Sequence, residues 1–282
     1  MNSINRQLSE YVLFVVFAFI FSQIVAFMFG SIGLILNSEL LISIFQRIGQ
    51  LLGLFGFFII WYRDITYLRS LGLDTTQRNS LQILNGFFMA LTVQTLIIVT
   101  YMLTGAELVR LSNSVPYWIL FGFAPGMIIH TCVGLVEEFL FRGFLYNHLK
   151  KYLPVSVAIL LQAALFSLAH LFNPGYSFSA FIGLTIFGIL MALLLDYKGS
   201  LLLPISFHAM WNLSEGTVFG FAVSGREATS LLKFKVSQNE LLHAGEFGSE
   251  AGVISMIILS FSSIALLLYT RKLNRNKTVK AS

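Results

Sequence analysis

Residues 116–145 read PYWILFGFAPGMIIHTCVGLVEEFLFRGFL. From Pro116 to Val136 there is no Asp, Glu, Lys or Arg. A helix crossing a bilayer needs about 20 mostly apolar residues, so this run alone specifies a transmembrane helix. Glu137 and Glu138 then interrupt it, yet Phe139, Leu140 and Phe141 resume it, and Phe144 and Leu145 follow Arg142. Carboxylates at a headgroup boundary would cost little, but apolar residues on both flanks place these two inside the membrane. There an ionisable group costs at least ~2.5–3.5 kcal/mol and marks a functional site.

The rest of the chain has the same character. Of its 282 residues 56% are hydrophobic and 11% charged, against about 25% charged in soluble domains. Eight apolar stretches are long enough to span: 11–36, 40–62, 81–104, 116–139, 153–172, 177–195, 201–222 and 251–270. The expected fold is therefore all-α, a polytopic membrane bundle of about eight transmembrane helices. The first stretch lacks a small-residue cleavage site and is read as a retained helix. Three regions are expected: a three-helix membrane region (1–115), a core bearing the polar clusters (116–222), and a polar loop, last helix and basic tail (223–282). The polar connection 223–250 is compatible with an ordered cap, a surface helix or a flexible loop.

Basic residues give an orientation. With Arg47 and Arg142 set aside as lying in or beside spans, eight helices put twelve Lys and Arg on the side of both termini and four on the other. The positive-inside rule then predicts a multi-pass cell-membrane protein with both termini cytoplasmic. The same distribution accounts for the net charge of +5 without nucleic acid as a partner. Cys132 is the one cysteine, so no intramolecular disulfide can form. All three aspartates (Asp64, Asp74 and Asp196) fall in predicted cytoplasmic loops, which removes an intramembrane aspartyl pair.

Three polar clusters interrupt the spans. In the first, Glu138 and Arg142 are four apart on one helix face and can pair, while Glu137 points about 100° away toward a cavity. In the second, His170 and Asn173 follow Phe166 near the end of span five, where a neutral imidazole can accept a proton or hold a metal. In the third, His208 and Asn212 stack one turn apart on span seven as two hydrogen-bond donors. A lone histidine on an apolar helix is usually a packing residue, and a His/Asn pair can simply bond neighbouring helices. Together the clusters supply a base, an imidazole and donors for an oxyanion, the set that water-mediated acyl transfer requires. Ser167, Ser206 and Cys132 lack the setting of a nucleophile. His130 lies two turns before Glu137 and is a candidate supporting residue; His148, beside Lys150 and Lys151, is expected in the interface.

Glu137-Glu138-x-x-x-Arg142, Phe166-x-x-x-His170 and His208-x-x-x-Asn212, in this order, resemble the motifs of the CAAX-protease and bacteriocin-processing (Abi) family, which includes the Ras-converting CAAX endopeptidase. The resemblance covers roughly residues 116–215. It implies a glutamate-dependent intramembrane endopeptidase acting on membrane-associated, lipidated or small peptides. Glu137 would activate water with help from His170, His208 and Asn212 would line the oxyanion hole, and Glu138 with Arg142 would form a supporting pair. The motif leaves the metal open: a metal-free site is one reading, and zinc at Glu137, His170 and His208 is the other, if their helices converge. A non-catalytic adaptor or immunity protein of the same fold is the main alternative, and a solute transporter a lesser one. If span four ended near Phe139, Glu137 and His170 would lie at opposite faces. The expectation is that span four continues through Phe144 and Leu145.

Overall fold

In a computed structural model, residues 3–63, 73, 77–111, 114–235, 242–243 and 245–281 are described. Eight helices follow the eight predicted stretches: α1 (Ser3–Ile35), α2 (Glu39–Tyr62), α3 (Gln77–Leu103), α4 (Val115–Leu149), α5 (Val155–Leu168), α6 (Phe178–Lys198), α7 (Leu202–Asn212) and α8 (Val253–Ala281). Six contain segments long and apolar enough to cross a membrane, and the shorter α5 and α7 complete the bundle. The chain is a multi-pass membrane protein.

Serines start several helices. The Leu41 amide of α2 donates to Ser38 Oγ, and the Ala180 amide of α6 to Ser177 Oγ, each satisfying a donor that a helix start leaves free. Small residues let the helices of the core approach closely, as in membrane bundles generally. A Cβ on Gly188 of α6 would come within 2.9 Å of the Ala163 backbone on α5. One on Gly134 of α4 would lie 3.0 Å from the Ile205 carbonyl of α7. Large rings fill the rest of this interior: Phe139, Phe144, Phe166, Phe187 and Trp211 are almost fully buried.

Helix α4 extends past the apolar stretch 116–139 and continues through Phe144 and Leu145, as expected. It runs on to Leu149, with a π-helical stretch over Phe139–Tyr146 in which every residue is buried. Glu137 thus lies twelve residues, about 18 Å, before the helix end. α5 instead stops at Leu168, short of the predicted 172, leaving His170 in the following turn. The two residues therefore reach a common level. α7 continues through a π-helical segment, Leu213–Val218. Asp196, expected in a loop, sits in the last turns of α6, where its carboxylate accepts from Lys150 Nζ at 3.0 Å. Asp64 and Asp74 lie outside the described residues.

The described part of the polar connection is an ordered cap. Strand β1 (Glu107–Leu111) pairs antiparallel with β2 (Leu232–Lys235), adding a two-stranded ribbon that the apolar pattern did not announce. Tyr101 at the end of α3 donates its hydroxyl to the carbonyl of His243, and Thr104 Oγ1 lies 2.8 Å from His243 Nε2. His243 is fully buried although it belongs to a polar segment. His148, expected in the interface, is buried against the rings of Tyr11 and Phe144.

Candidate active site

Five of the six candidate side chains meet. Arg142 Nη1 donates to Glu138 Oε1 at 2.9 Å, and both side chains are fully buried. The same oxygen accepts from His208 Nδ1 at 2.7 Å, joining α7 to α4. Glu138 is therefore bound to two partners, where the helix spacing had announced one.

Glu137 Oε2 lies 3.8 Å from His170 Nε2 and 3.8 Å from His208 Nε2. Both imidazoles are fixed from behind. His170 Nδ1 is 2.9 Å from the Phe166 carbonyl, which can only accept, so that nitrogen carries hydrogen and Nε2 turns to Glu137. By the same logic His208 donates through Nδ1 to the Glu138 carboxylate and presents Nε2 to the same point. Two ring nitrogens and one carboxylate oxygen thus converge, too far apart for direct hydrogen bonds and close enough to share a water. The Glu137 and His170 side chains remain 16% and 12% exposed, whereas Glu138 and Arg142 are fully buried.

Aromatic rings hold the assembly. The Arg142 guanidinium lies over the Phe166 ring, 4.3 Å from its centroid, a cation–π contact. The rings of His170 and His208 stand T-shaped to the same ring with centroids 5.0 and 6.1 Å away, and the Phe187 ring lies 5.1 Å from His208. Phe166 therefore touches three site residues with its ring and orients His170 with its carbonyl. Asn212 stands one turn beyond His208, buried, with no direct bond to the other five; its Oδ1 lacks a protein partner, as do Glu137 Oε2, Glu138 Oε2 and Arg142 Nε and Nη2. Such a cluster of unmet polar atoms is unusual in a protein interior, where buried polar groups are paired.

Ser167 Oγ lies 3.1 Å from both Tyr176 Oη and the Phe181 carbonyl, and Ser206 Oγ donates to the Ile83 carbonyl. Each is engaged in packing. Glu137, His170 and His208 are chemically zinc donors, with both imidazoles oriented through Nδ1 as metal ligands are. Among the described residues, however, no three His, Cys, Asp or Glu side chains are arranged to hold a metal ion.

Two further carboxylates went unassigned in the sequence. Glu215, in the π-helical extension of α7, is fully buried and accepts from the Ser249 amide at 2.7 Å and its hydroxyl at 2.5 Å. Glu250 Oε2 accepts from Ser224 Oγ at 2.8 Å, and the Ser224 carbonyl accepts from Asn173 Nδ2 at 3.1 Å. The cap is thereby tied to the turn that carries His170. Glu215 stands out in the sequence as a carboxylate near the end of span seven, but no motif gives it a role; Glu250 lies in a polar segment where nothing distinguishes it.

Residues 116–214 match a family model, that of the type II CAAX prenyl endopeptidases, Rce1-like. This segment is similar to the Rce1-like family. It spans about a third of the chain and contains all six candidate residues, in agreement with the motif resemblance. No curated protein and no solved structure matches the chain.

Proposed function

We propose that this protein is an intramembrane endopeptidase in which Glu137 activates a water for attack on a peptide bond. The observation that carries the reading is the convergence of His170 Nε2 and His208 Nε2 on Glu137 Oε2 at 3.8 Å. Water held among these three atoms loses a proton to Glu137, and the hydroxide adds to the scissile carbonyl. Glu137 then returns the proton to the departing amine. His170, with hydrogen on Nδ1, accepts a hydrogen bond at Nε2 and so orients the water. His208 is committed to Glu138 through Nδ1; it donates to the oxyanion through Nε2 when it carries a second proton between the two carboxylates. Asn212, one turn along, is placed to offer its amide to the same oxyanion.

The substrates are peptides presented at or within the bilayer, including lipidated ones, in keeping with the family of the matched segment. The termini are cytoplasmic on the twelve-to-four distribution of basic residues.

The test is Glu137→Gln in purified, lipid-reconstituted protein. Losing a general base is expected to lower the cleavage rate about 10²–10⁴-fold. The melting temperature should stay at the wild-type value, because Glu137 makes no close ion pair. Normal cleavage by the variant would end the mechanism. A cellular phenotype that survives the substitution unchanged would favour an adaptor of the same fold.

A further inference from the structure

Arg47 lies in α2, outside the family segment, and none of the three motifs includes it. Rings register α2 against α4: Phe55 and Phe58 pack on Phe139 at 5.0 and 4.9 Å, and Phe58 packs on Phe144 at 5.3 Å. The two helices are the second and fourth of an alternating series and run in the same direction. Arg47 precedes Phe55 by eight residues, and the same offset from Phe139 falls on Thr131. Arg47 thus lies beside α4 about 9 Å along the axis from Glu137, toward the end away from the termini. It shares a helix face with Gln50, Leu54 and Phe58, which are buried against the bundle and not turned to lipid.

At this position the guanidinium is under-used. Nη1 donates to Gln50 Oε1 at 2.8 Å, and among the described residues Arg47 forms no ion pair. A guanidinium carries five donors, and in a membrane helix such a group is retained for a function. The charged or ionisable groups near enough to act on it include Glu137, Cys132, His130 and the exposed Arg226 of the cap. A partly buried cation with donors to spare, near a peptidase base and under the influence of a second cation, suits an anion arriving with the substrate.

We propose that Arg47 binds a carboxylate of the peptide substrate and so fixes which peptide bond faces Glu137. This rests on the peptidase reading. The bound form is a charge-assisted pair, for which the planar guanidinium fork suits a carboxylate better than a lysine ammonium does. Lipid phosphate has the same chemistry, but the face that carries Arg47 turns inward.

The experiment measures binding without turnover, so that failed hydrolysis and failed recognition are told apart. Glu137→Gln protein is reconstituted in phosphatidylcholine nanodiscs. It is titrated with a fluorescein-labelled dodecapeptide that has a free C-terminus and two glutamates, and with its counterpart bearing an amidated end and two glutamines. The acidic peptide is expected to bind about tenfold more tightly, the worth of one hydrogen bond to a charged group. Adding Arg47→Gln should erase that preference while leaving the affinity for the amidated peptide unchanged, and Arg47→Lys should restore part of it. Equal binding of the two peptides, or a preference that survives Arg47→Gln, overturns the proposal. So does loss of both affinities together with a lowered melting temperature, which would make Arg47 structural. Displacement of the acidic peptide by phosphatidylglycerol in the nanodisc would assign the site to lipid phosphate instead.

Discussion

Glu138 shows how one oxygen can determine a site. Its Oε1 accepts from both Arg142 and His208, so the carboxylate neutralises a buried guanidinium and orients an imidazole together. Removing one partner of a buried pair leaves the other charged and unmatched, at a cost of about 3–5 kcal/mol. Glu138→Gln and Arg142→Leu are therefore expected to lower the melting temperature in lipid or detergent, in contrast to Glu137→Gln. They should also slow cleavage, because His208 loses the acceptor that turns Nε2 toward Glu137. A Glu138→Gln protein of normal stability and no activity would instead make Glu138 the base. The pair with Arg142 was legible from four-residue spacing alone. The bond to His208 was not, because it joins positions 70 residues apart through helix packing that no local pattern encodes. The role of Phe166 was hidden differently: a phenylalanine in an apolar span looks like every other core residue until three polar groups are found around it. Arg47 was set aside as a charge in or beside a span, and given no role, because the motifs drew attention to 116–215 alone.

Hydropathy gave the number of helices, and polar chemistry gave their ends. The fourth apolar stretch ends at Phe139 because Glu137, Glu138 and Arg142 lower the local hydropathy; the helix continues through Phe144 and Leu145, as a meeting with His170 required, and runs on to Leu149. The ion pair is satisfied inside the bundle, so this dip marks a buried site rather than a boundary. Its π-helical stretch begins directly after the two glutamates, and such insertions often accompany functional sites. The cap was illegible for the reverse reason: a polar segment has no period to announce that Ser249, Glu250 and His243 are buried. Glu250 sits in the short turn before α8, and burial pushes its carboxyl above the usual carboxylate range, opposed by the nearby His170 and by the Ser224 hydroxyl. The folded state then keeps a proton that the unfolded chain releases near pH 4.3. Its contribution to stability is full below about that pH and is lost as pH rises toward the folded value. Relative to wild type, Glu250→Gln should therefore gain thermal stability between pH 5 and pH 8, measured by melting curves at each pH. A difference that stays constant across that range would mean that Glu250 does not titrate there.

At the scale of the whole molecule, the site is packed shut at one end and bordered by the cap at the other. Every residue from Phe139 to Tyr146 is buried, so the stretch of α4 leading from Glu137 toward the termini is packed shut by Phe139, Arg142 and Phe144. On the other side α5 ends early, the turn with His170 follows, and the polar segment after α7 closes over it; Gly225 approaches Pro174, and its amide donates to the Phe247 carbonyl at 2.7 Å. Water and peptide should thus reach Glu137 from the face opposite the termini. If the twelve-to-four bias of basic residues places the termini in the cytoplasm, that face is extracytoplasmic. Accessibility decides the point. With Cys132→Ala as background, single cysteines are introduced by Ala228→Cys in the exposed part of the cap and by Lys272→Cys in the exposed end of α8. A membrane-impermeant maleimide applied to intact cells should label the first and not the second, and permeabilisation should expose the second. The reverse pattern would turn the protein over and place its open site toward the cytoplasm. Equal labelling of both in intact cells would put the cap and the C-terminal helix end on one side, and eight alternating spans could not be maintained. The expected pattern implies peptides delivered from the outer face, such as exported or surface-anchored chains, and not chains held on the cytoplasmic leaflet.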